Sequence, residues 1–210
     1  MARNLTPRTK LSRRVNRNLF LMGARSFSAK DDYTKKPFKA TLPGKRRPPS
    51  SSEYSKQLTE KQALKYTYGL MEKQLSNLFK KSFKTTGDTG LIALGLLEKR
   101  LDNVIYKAGL SNSRSQARQL VNHGHFEVNG VRTNIPSFTV KPGDKITIVK
   151  TKQKSTFWTN FSLEVPNGIP SWLEVSNKSL IQVVNNPITE DLPKEFNLPY
   201  IVEFYSRKVS

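Results

Sequence analysis

Cysteine is absent from the chain, which removes disulfides, thiolate zinc sites and cysteine nucleophiles from consideration. A reducing compartment is compatible with that absence. Histidine is nearly absent too: the 210 residues hold two, His123 and His125, on either side of Gly124. Acid is scarce. Sixteen Asp and Glu stand against thirty-six Lys and Arg, leaving +20, a balance that destabilises a compact monomer by self-repulsion unless a polyanion neutralises it. No apolar run approaches the roughly 20 residues that a membrane-spanning helix needs, and "NLFLMGARSFSA" is too short and too interrupted for a secretory signal core. With 36% hydrophobic residues, the core is modest, one large domain or two small ones. Nucleic acid or an anionic membrane surface is the expected partner.

The positive charge is regional. Residues 1–50 hold fourteen basic and two acidic residues, residues 51–150 sixteen and eight, and residues 151–210 six of each. The anion-binding surface is therefore expected from the first three-quarters of the chain. An Arg-rich, Ser-containing start with few acids also fits an organellar transit peptide, but the basic character continues well past such a segment. Residues 1–50 lack sustained periodicity and end in "LPGKRRPPSSS", which reads as an extended basic arm.

Ser50 with Glu53 and Thr59 with Gln62 have capping-box spacing. Leu64, Tyr68, Met71, Leu75, Leu78 or Phe79, and Phe83 then recur at helical steps toward Gly87, which predicts one amphipathic helix. A second is expected from about Asp88, with Leu91, Leu94, Leu97, Leu101, Val104 or Ile105, and Ala108 on one face and Gly109 as its stop. Ser113 and Gln116 form another capping box, and Gly124 supplies a left-handed stop, so a short helix spans about 114–122. Its apolar stripe is Ala117, Leu120 and Val121; Ser115, Arg118, Gln119 and Asn122 fall opposite, with Arg114 at the edge. Asn129-Gly130 between Phe126/Val128 and Val131 is a hairpin signal, and Pro142-Gly143 leads into a strand alternating at Ile146 and Ile148. The aromatic, charge-neutral end, with Trp158, Phe161, Trp172 and "YIVEFYSR", looks suited to docking on protein.

His-x-His places two imidazoles together, but a structural zinc site wants four ligands and only scattered carboxylates remain to complete it. General acid–base work needs a third group that orients an imidazole in a cleft, and none is near in sequence. At the end of a basic helix these histidines are suited to donating to phosphate or stacking on a base or sugar; half-buried turn histidines are the other reading. Arg100-Leu101-Asp102 is similar to the stretch that carries the catalytic aspartate of pseudouridine synthases. It sits inside a periodic helix, where Asp102 is expected to hold Arg100 or Lys99 by an ion pair. Lys99, Arg100, Lys107, Arg114 and Arg118 cluster around the helices, and Arg13, Arg14, Arg17, Lys45, Arg46 and Arg47 lie in the first fifty residues.

The run "RLDNVIYKAGLSNSRSQARQLVNHGHFEVNGVRTNIPSFTVKPGDKITI" closely resembles the RNA-binding module of the S-four family of small-ribosomal-subunit proteins. "MARN", "KLSRR", "SEYSKQLTEKQALKYTYG", "PSWLEV" and "IVEFYSR" extend the resemblance over nearly the full length. It implies an α+β fold: a helical domain at 51–97 completed by a neutral segment at 159–210, an inserted α-α-β module at 98–158 of two packed helices and a small twisted antiparallel sheet, and the arm at 1–50. It implies a non-enzymatic primary binder of small-subunit ribosomal RNA that nucleates assembly of the subunit body. Such a protein lies near the messenger entry path, influences accuracy, and neighbours the fifth small-subunit protein and the third. The site residues so implied are Arg3, Arg13, Arg14, Arg17, Lys45, Arg46, Arg47, Tyr54, Lys61, Lys99, Arg100, Ser113, Arg114, Gln116, Arg118, Gln119, Asn122, His123, His125 and Lys141. The implied location is the ribosome of a bacterial cytoplasm or of an organelle. Many relatives carry a cysteine cluster that binds zinc; Thr9 and Ser12 occupy two of its positions here, so neither zinc nor another cofactor is expected. An RNA-modifying enzyme or a free ribosome-rescue or heat-shock module are the alternatives, and both fit the remaining segments less well.

Overall fold

The computed structural model describes residues 6–36, 52–159, 161, 168–176 and 180–209. Its compact units are two: one draws on Met1–Ala93 and Pro193–Ser210, the other on Leu94–Leu192. Helices and a small antiparallel sheet make the fold α+β.

The first unit contains α1 (Arg8–Val15), a 3₁₀ turn (Gly23–Phe27), α2 (Asp32–Lys35), α3 (Glu53–Thr67), α4 (Glu72–Phe83), the start of α5 (Thr89–Glu98) and the last helix, Leu198–Val209. The expected extended arm is corrected over residues 6–36: Leu11, Val15 and Leu19 are buried, and α1 packs on α3. Their four-residue spacing was masked by the surrounding Arg and Lys. The Ser50 cap lies outside the described residues. Ser52 caps α3 instead, its hydroxyl accepting from Ser55 N–H at 3.3 Å. Thr59 lies within the helix, where its hydroxyl donates to the Ser55 carbonyl at 2.8 Å.

The single helix expected from there to Gly87 is two. The chain leaves the α conformation at Tyr68–Gly69 (Gly69 φ +62°), and α4 restarts with Gln74 Oε1 accepting from Met71 N–H at 3.1 Å. Apolar spacing persists through the break, so periodicity alone does not reveal it. Leu64, Leu75, Phe79, Ile201, Phe204 and Tyr205 form the centre of this core, with the Phe79 and Tyr205 rings stacked at 4.7 Å.

The second unit carries the rest of α5, α6 (Leu101–Lys107), α7 (Arg114–Asn122), β1 (Phe126–Val128), β2 (Val131–Thr133), β3 (Lys145–Ile148), the short α8 (Lys150–Gln153) and α9 (Thr156–Thr159), β4 (Leu173–Ser176) and β5 (Leu180–Val183); the Leu198–Val209 helix is α10. The second predicted helix is also interrupted, at Lys99–Arg100. There the chain bridges to Thr139, Leu101 N–H donates to the Phe138 carbonyl at 2.9 Å and Asp102 N–H to Pro136 at 3.2 Å. Two orphan donors of a new helix start are thus satisfied by a segment almost forty residues away.

The sheet order is β2-β1-β3-β5-β4, antiparallel throughout. Asn129 and Gly130 take φ of +51° and +80°, the two positive values of the tight hairpin their identity predicts. The register sets Phe126 opposite Ile148 and Val128 opposite Ile146, which puts all four on the buried face. β4 and β5 correct the expectation for 159–210. Strand β5 pairs with β3, and Trp158, Trp172, Leu173, Ile181 and Val183 join the core of this unit. Residues 193–210 belong to the helical unit instead. Phe126, fully buried against Trp158 at 5.8 Å between ring centres, anchors this core. Phe126→Ala is expected to cost about 3–5 kcal/mol, read as a lower urea midpoint at unchanged slope.

Candidate nucleic-acid interface

Local chemistry builds α7. Ser113 Oγ accepts from Gln116 N–H at 3.3 Å, and the Gln116 side-chain oxygen reaches back to Asn112 N–H at 2.8 Å. Ser113 and Gln116, both expected RNA contacts, are therefore engaged in capping the helix. Gly124 closes α7 with φ +63°. A Cβ there would lie 2.6 Å from Arg132 Nε, because Arg132 folds over the turn and donates to the Gly124 carbonyl at 3.1 Å. Asn122, His123, Gly124, Arg132 and Asn134 line an open cleft of ≈ 300 Å³. Arg132 and Asn134 were missing from the residues read from sequence. They sit on and beyond the far hairpin strand, and only the β1–β2 register brings them to the end of α7.

Beneath α7 lies a buried charge cluster. Arg100 and Asp102, 9% and 5% exposed, form a bidentate pair, with Nη2 to Oδ2 at 2.7 Å and Nε to Oδ1 at 3.1 Å. Arg118 faces the same carboxylate at 4.0 Å and is itself 9% exposed. Its assignment to the outer polar face is corrected: it turns inward because Asp102 offers a low-dielectric counter-charge. Arg100 is likewise taken from the candidate surface. Asp102 is the ion-pair partner its helical setting predicted. Next to it, Asn103 Nδ2 donates to Glu98 Oε2 at 2.8 Å, while Asn103 Oδ1 accepts from Arg114 Nε at 2.8 Å. Arg114 also covers the Tyr106 ring, 4.7 Å from its centre, so it is half-buried and aimed by α6. Gln119, Asn122, His123 and Lys141 are exposed, and Lys99 is half-buried, with burial lowering its ammonium pKa.

The two histidines part company. His123 is exposed and borders the cleft. The Nδ1 of His125 accepts a hydrogen bond from Trp158 Nε1–H at 2.9 Å. Burial lowers its pKa, and the positive potential of Lys152, His123 and Arg132 lowers it further. His125 is thus held neutral, with its proton on Nε2. It is a half-buried turn histidine with Nδ1 engaged by Trp158. Among the described residues no group of three or more His, Cys, Asp or Glu is placed to hold a metal ion; Ser12 is buried and accepts from Leu19 N–H at 3.4 Å.

In the helical unit, Lys61 is 4% exposed, bonded to both oxygens of Glu72 at 3.0 Å and set over the Phe204 ring at 4.7 Å. Its expected role at the surface is corrected to a core ion pair. Burial alone would raise the Glu72 pKa, but the Lys61 and Lys65 hydrogen bonds bring it below its ordinary value. Burial and then Glu72 push the Tyr205 hydroxyl far above its own. Arg17 pairs with Glu60 at 3.3 Å and donates to the Glu195 carbonyl. Arg13 bonds the Lys36 carbonyl at 2.7 Å, whereas Arg14 and Tyr54 are exposed. Arg3, Lys45, Arg46 and Arg47 lie outside the described residues.

A polar, cation-bearing edge on short helices and a hairpin defines the class: a small α+β module with an open cleft at the end of α7. Residues 99–146 match the family model described as S4 domain, and residues 3–98 the one described as Ribosomal protein S4/S9 N-terminal domain. Small ribosomal subunit protein uS4 of Gloeobacter violaceus is 42% identical over 210 residues, spanning 99% of this chain and 100% of the relative. The protein of that name from Thermus thermophilus is 40% identical over 210 residues and that from Alcanivorax borkumensis 42% over 211, each spanning 99% of this chain and 100% of the relative. The chain belongs to the uS4 family of small ribosomal subunit proteins.

Two outcomes test this geometry. Arg100→Ala leaves Asp102 buried without its bidentate partner and is expected to cost about 3–5 kcal/mol, measured by chemical denaturation. His125, whose folded pKa is depressed, contributes stability that is complete above its unfolded value near 6.5 and fades as pH falls toward the folded one. Denaturation midpoints are expected to drop as pH falls below about 6.5, and His125→Gln is expected to flatten that drop.

Proposed function

We propose that this chain is a structural, RNA-binding component of the small ribosomal subunit that works by charge neutralisation and shape readout rather than by catalysis. The single observation that carries the reading is membership of the uS4 family over 99% of the chain. The +20 charge supports it, since a folded polyanion removes the repulsion. Contact falls to the exposed edge of α7 and its surroundings: Arg114, Gln119, Asn122, His123, Arg132 and Lys141. Arg13, Arg14 and Tyr54 act in the helical unit. Phosphate and sugar contacts set the register on the RNA, and its folded shape supplies specificity.

The resemblance supports a finer role: early binding that nucleates the subunit body, beside the fifth protein and the third, near the messenger entry path and with an effect on accuracy. The residues that would face messenger, Lys45, Arg46 and Arg47, lie outside the described residues, and the arm departs from the family pattern there. The ribosome that holds the chain is then its location.

With about 6–10 phosphates engaged, affinity for folded small-subunit RNA is expected to fall by about 10³–10⁵ between 50 and 200 mM salt. Arg114→Ala is expected to weaken binding roughly tenfold, the loss of one charge-assisted hydrogen bond, in titrations run well below a melting temperature that itself drops because buried Asn103 Oδ1 loses its donor. Equal affinity for folded ribosomal RNA and a random polymer of the same length would reject the proposal.

A further inference from the structure

Loop residues 16–28 of the helical unit carry two exposed phenylalanines. Phe20 and Phe27 are 40% and 57% exposed, yet their rings stack on each other, 4.9 Å between centres and 17° from parallel. Two apolar rings left in water on a flexible loop would be unremarkable. This loop is not left loose. Asp31 and Ser26 are buried and tie it from below. Asn18 Nδ2 reaches both the Ser26 carbonyl at 3.3 Å and Asp31 Oδ2 at 3.4 Å, and Ser26 Oγ accepts from Met22 N–H at 3.0 Å. Arg8 donates to the Leu21 carbonyl at 3.1 Å. The backbone of Phe20 is held at φ +49°, a region that a bulky side chain enters only at a cost, and Asn18 Oδ1 fixes it there by accepting from Phe20 N–H at 3.0 Å. The scaffold thus spends conformational strain to hold a ring out beside its partner.

We infer that Phe20 and Phe27 form a stacking platform for an unpaired base of the bound RNA. Phe27, the more open of the two, offers its outer face to the base, which continues the stack that Phe20 begins. Base–aromatic stacking tolerates any base because each has a π face, and recognition of RNA by splayed single-stranded bases uses this geometry. Charge favours the same occupant. Arg25 and Lys30 flank Phe27 in a segment where 1–50 carries fourteen basic residues and two acidic ones, and the carboxylate of Asp31 is buried within the loop. A protein partner would meet a surface of high positive charge around two rings. A nucleotide meets phosphate counter-charges and a ring face together.

This inference rests on the proposed RNA-binding role, and one experiment separates the two. The full chain and its variants are titrated with folded small-subunit ribosomal RNA at fixed salt. Wild type that shows no preference for this RNA overturns both. Given a preference, Phe27→Ala is expected to lower affinity by about 5- to 150-fold, the range that stacking carries per base, with the salt slope unchanged because no cation is removed. Phe27→Trp is expected to hold affinity at the wild-type level or above it, and Phe27→Leu to fall with Phe27→Ala. Melting curves keep the test clear of folding: the ring is exposed, so all three variants are expected to melt with wild type. For a variant that melts early, irradiating the wild-type complex replaces affinity as the readout, and a crosslink from peptide 18–28 to an unpaired base is expected. Wild-type affinity in Phe27→Ala and Phe27→Leu, or crosslinks that miss this peptide, would overturn the platform. So would Leu restoring what Ala loses, since the contact would then be apolar and of the kind a protein makes.

Discussion

The carboxylate of Asp102 is where the second unit is tied together. Its own backbone N–H is taken by the Pro136 carbonyl, its two oxygens by Arg100, and Arg118 approaches the same group from α7. Asp102 therefore joins three parts: its backbone N–H holds the 136–140 segment, and its carboxylate holds Arg100 at the break between α5 and α6 and Arg118 on the helix that bears the exposed polar edge. In a chain with so large a positive excess, burying two guanidiniums beside one carboxylate is tolerable only because geometry makes the pair bidentate. A single removed partner would leave an uncompensated charge in a medium that cannot solvate it.

The helical unit solves the same problem in a different form. Glu72 gathers Lys61, Lys65 and the Tyr205 hydroxyl, and Lys61 lies against the Phe204 ring. Cations that look like a surface patch in a linear reading are in part internal. Among the cations that do face outward, Arg114 is aimed by Asn103 and Arg132 is folded over Gly124. For RNA this matters, because a few cations held at fixed positions read a folded backbone better than many on free arms.

Much of the site was legible in residue order where the causes are local. Ser113, Gln116 and Gly124 set the ends of α7 through hydrogen bonds and a left-handed turn that need no distant partner, and the observed helix has the expected limits. Asn129-Gly130 set the hairpin by the same logic. Arg118 was misread because helical angle tells which way a Cα faces, while the direction a long side chain takes depends on whether an acid waits inside. The reading of His125 had to stay open for a similar reason: the Trp158 indole that fixes its tautomer lies 33 residues on. The loop of 16–28 carried no periodic signal, so neither its folding nor the stacked rings were visible.

Sequence alone therefore determined a net charge that calls for a polyanionic surface; the family; the α+β order; and each element whose start and stop are encoded within a turn of chain. Tertiary structure decided which cations face water, where the two long apolar periodicities break, and that the strands after Trp172 complete the sheet. The reason is one of range. Caps, turns and periodicity are satisfied among neighbours in the chain, whereas a buried charge or an orphan N–H takes whichever partner the folded backbone brings to it, and that partner is named only in three dimensions.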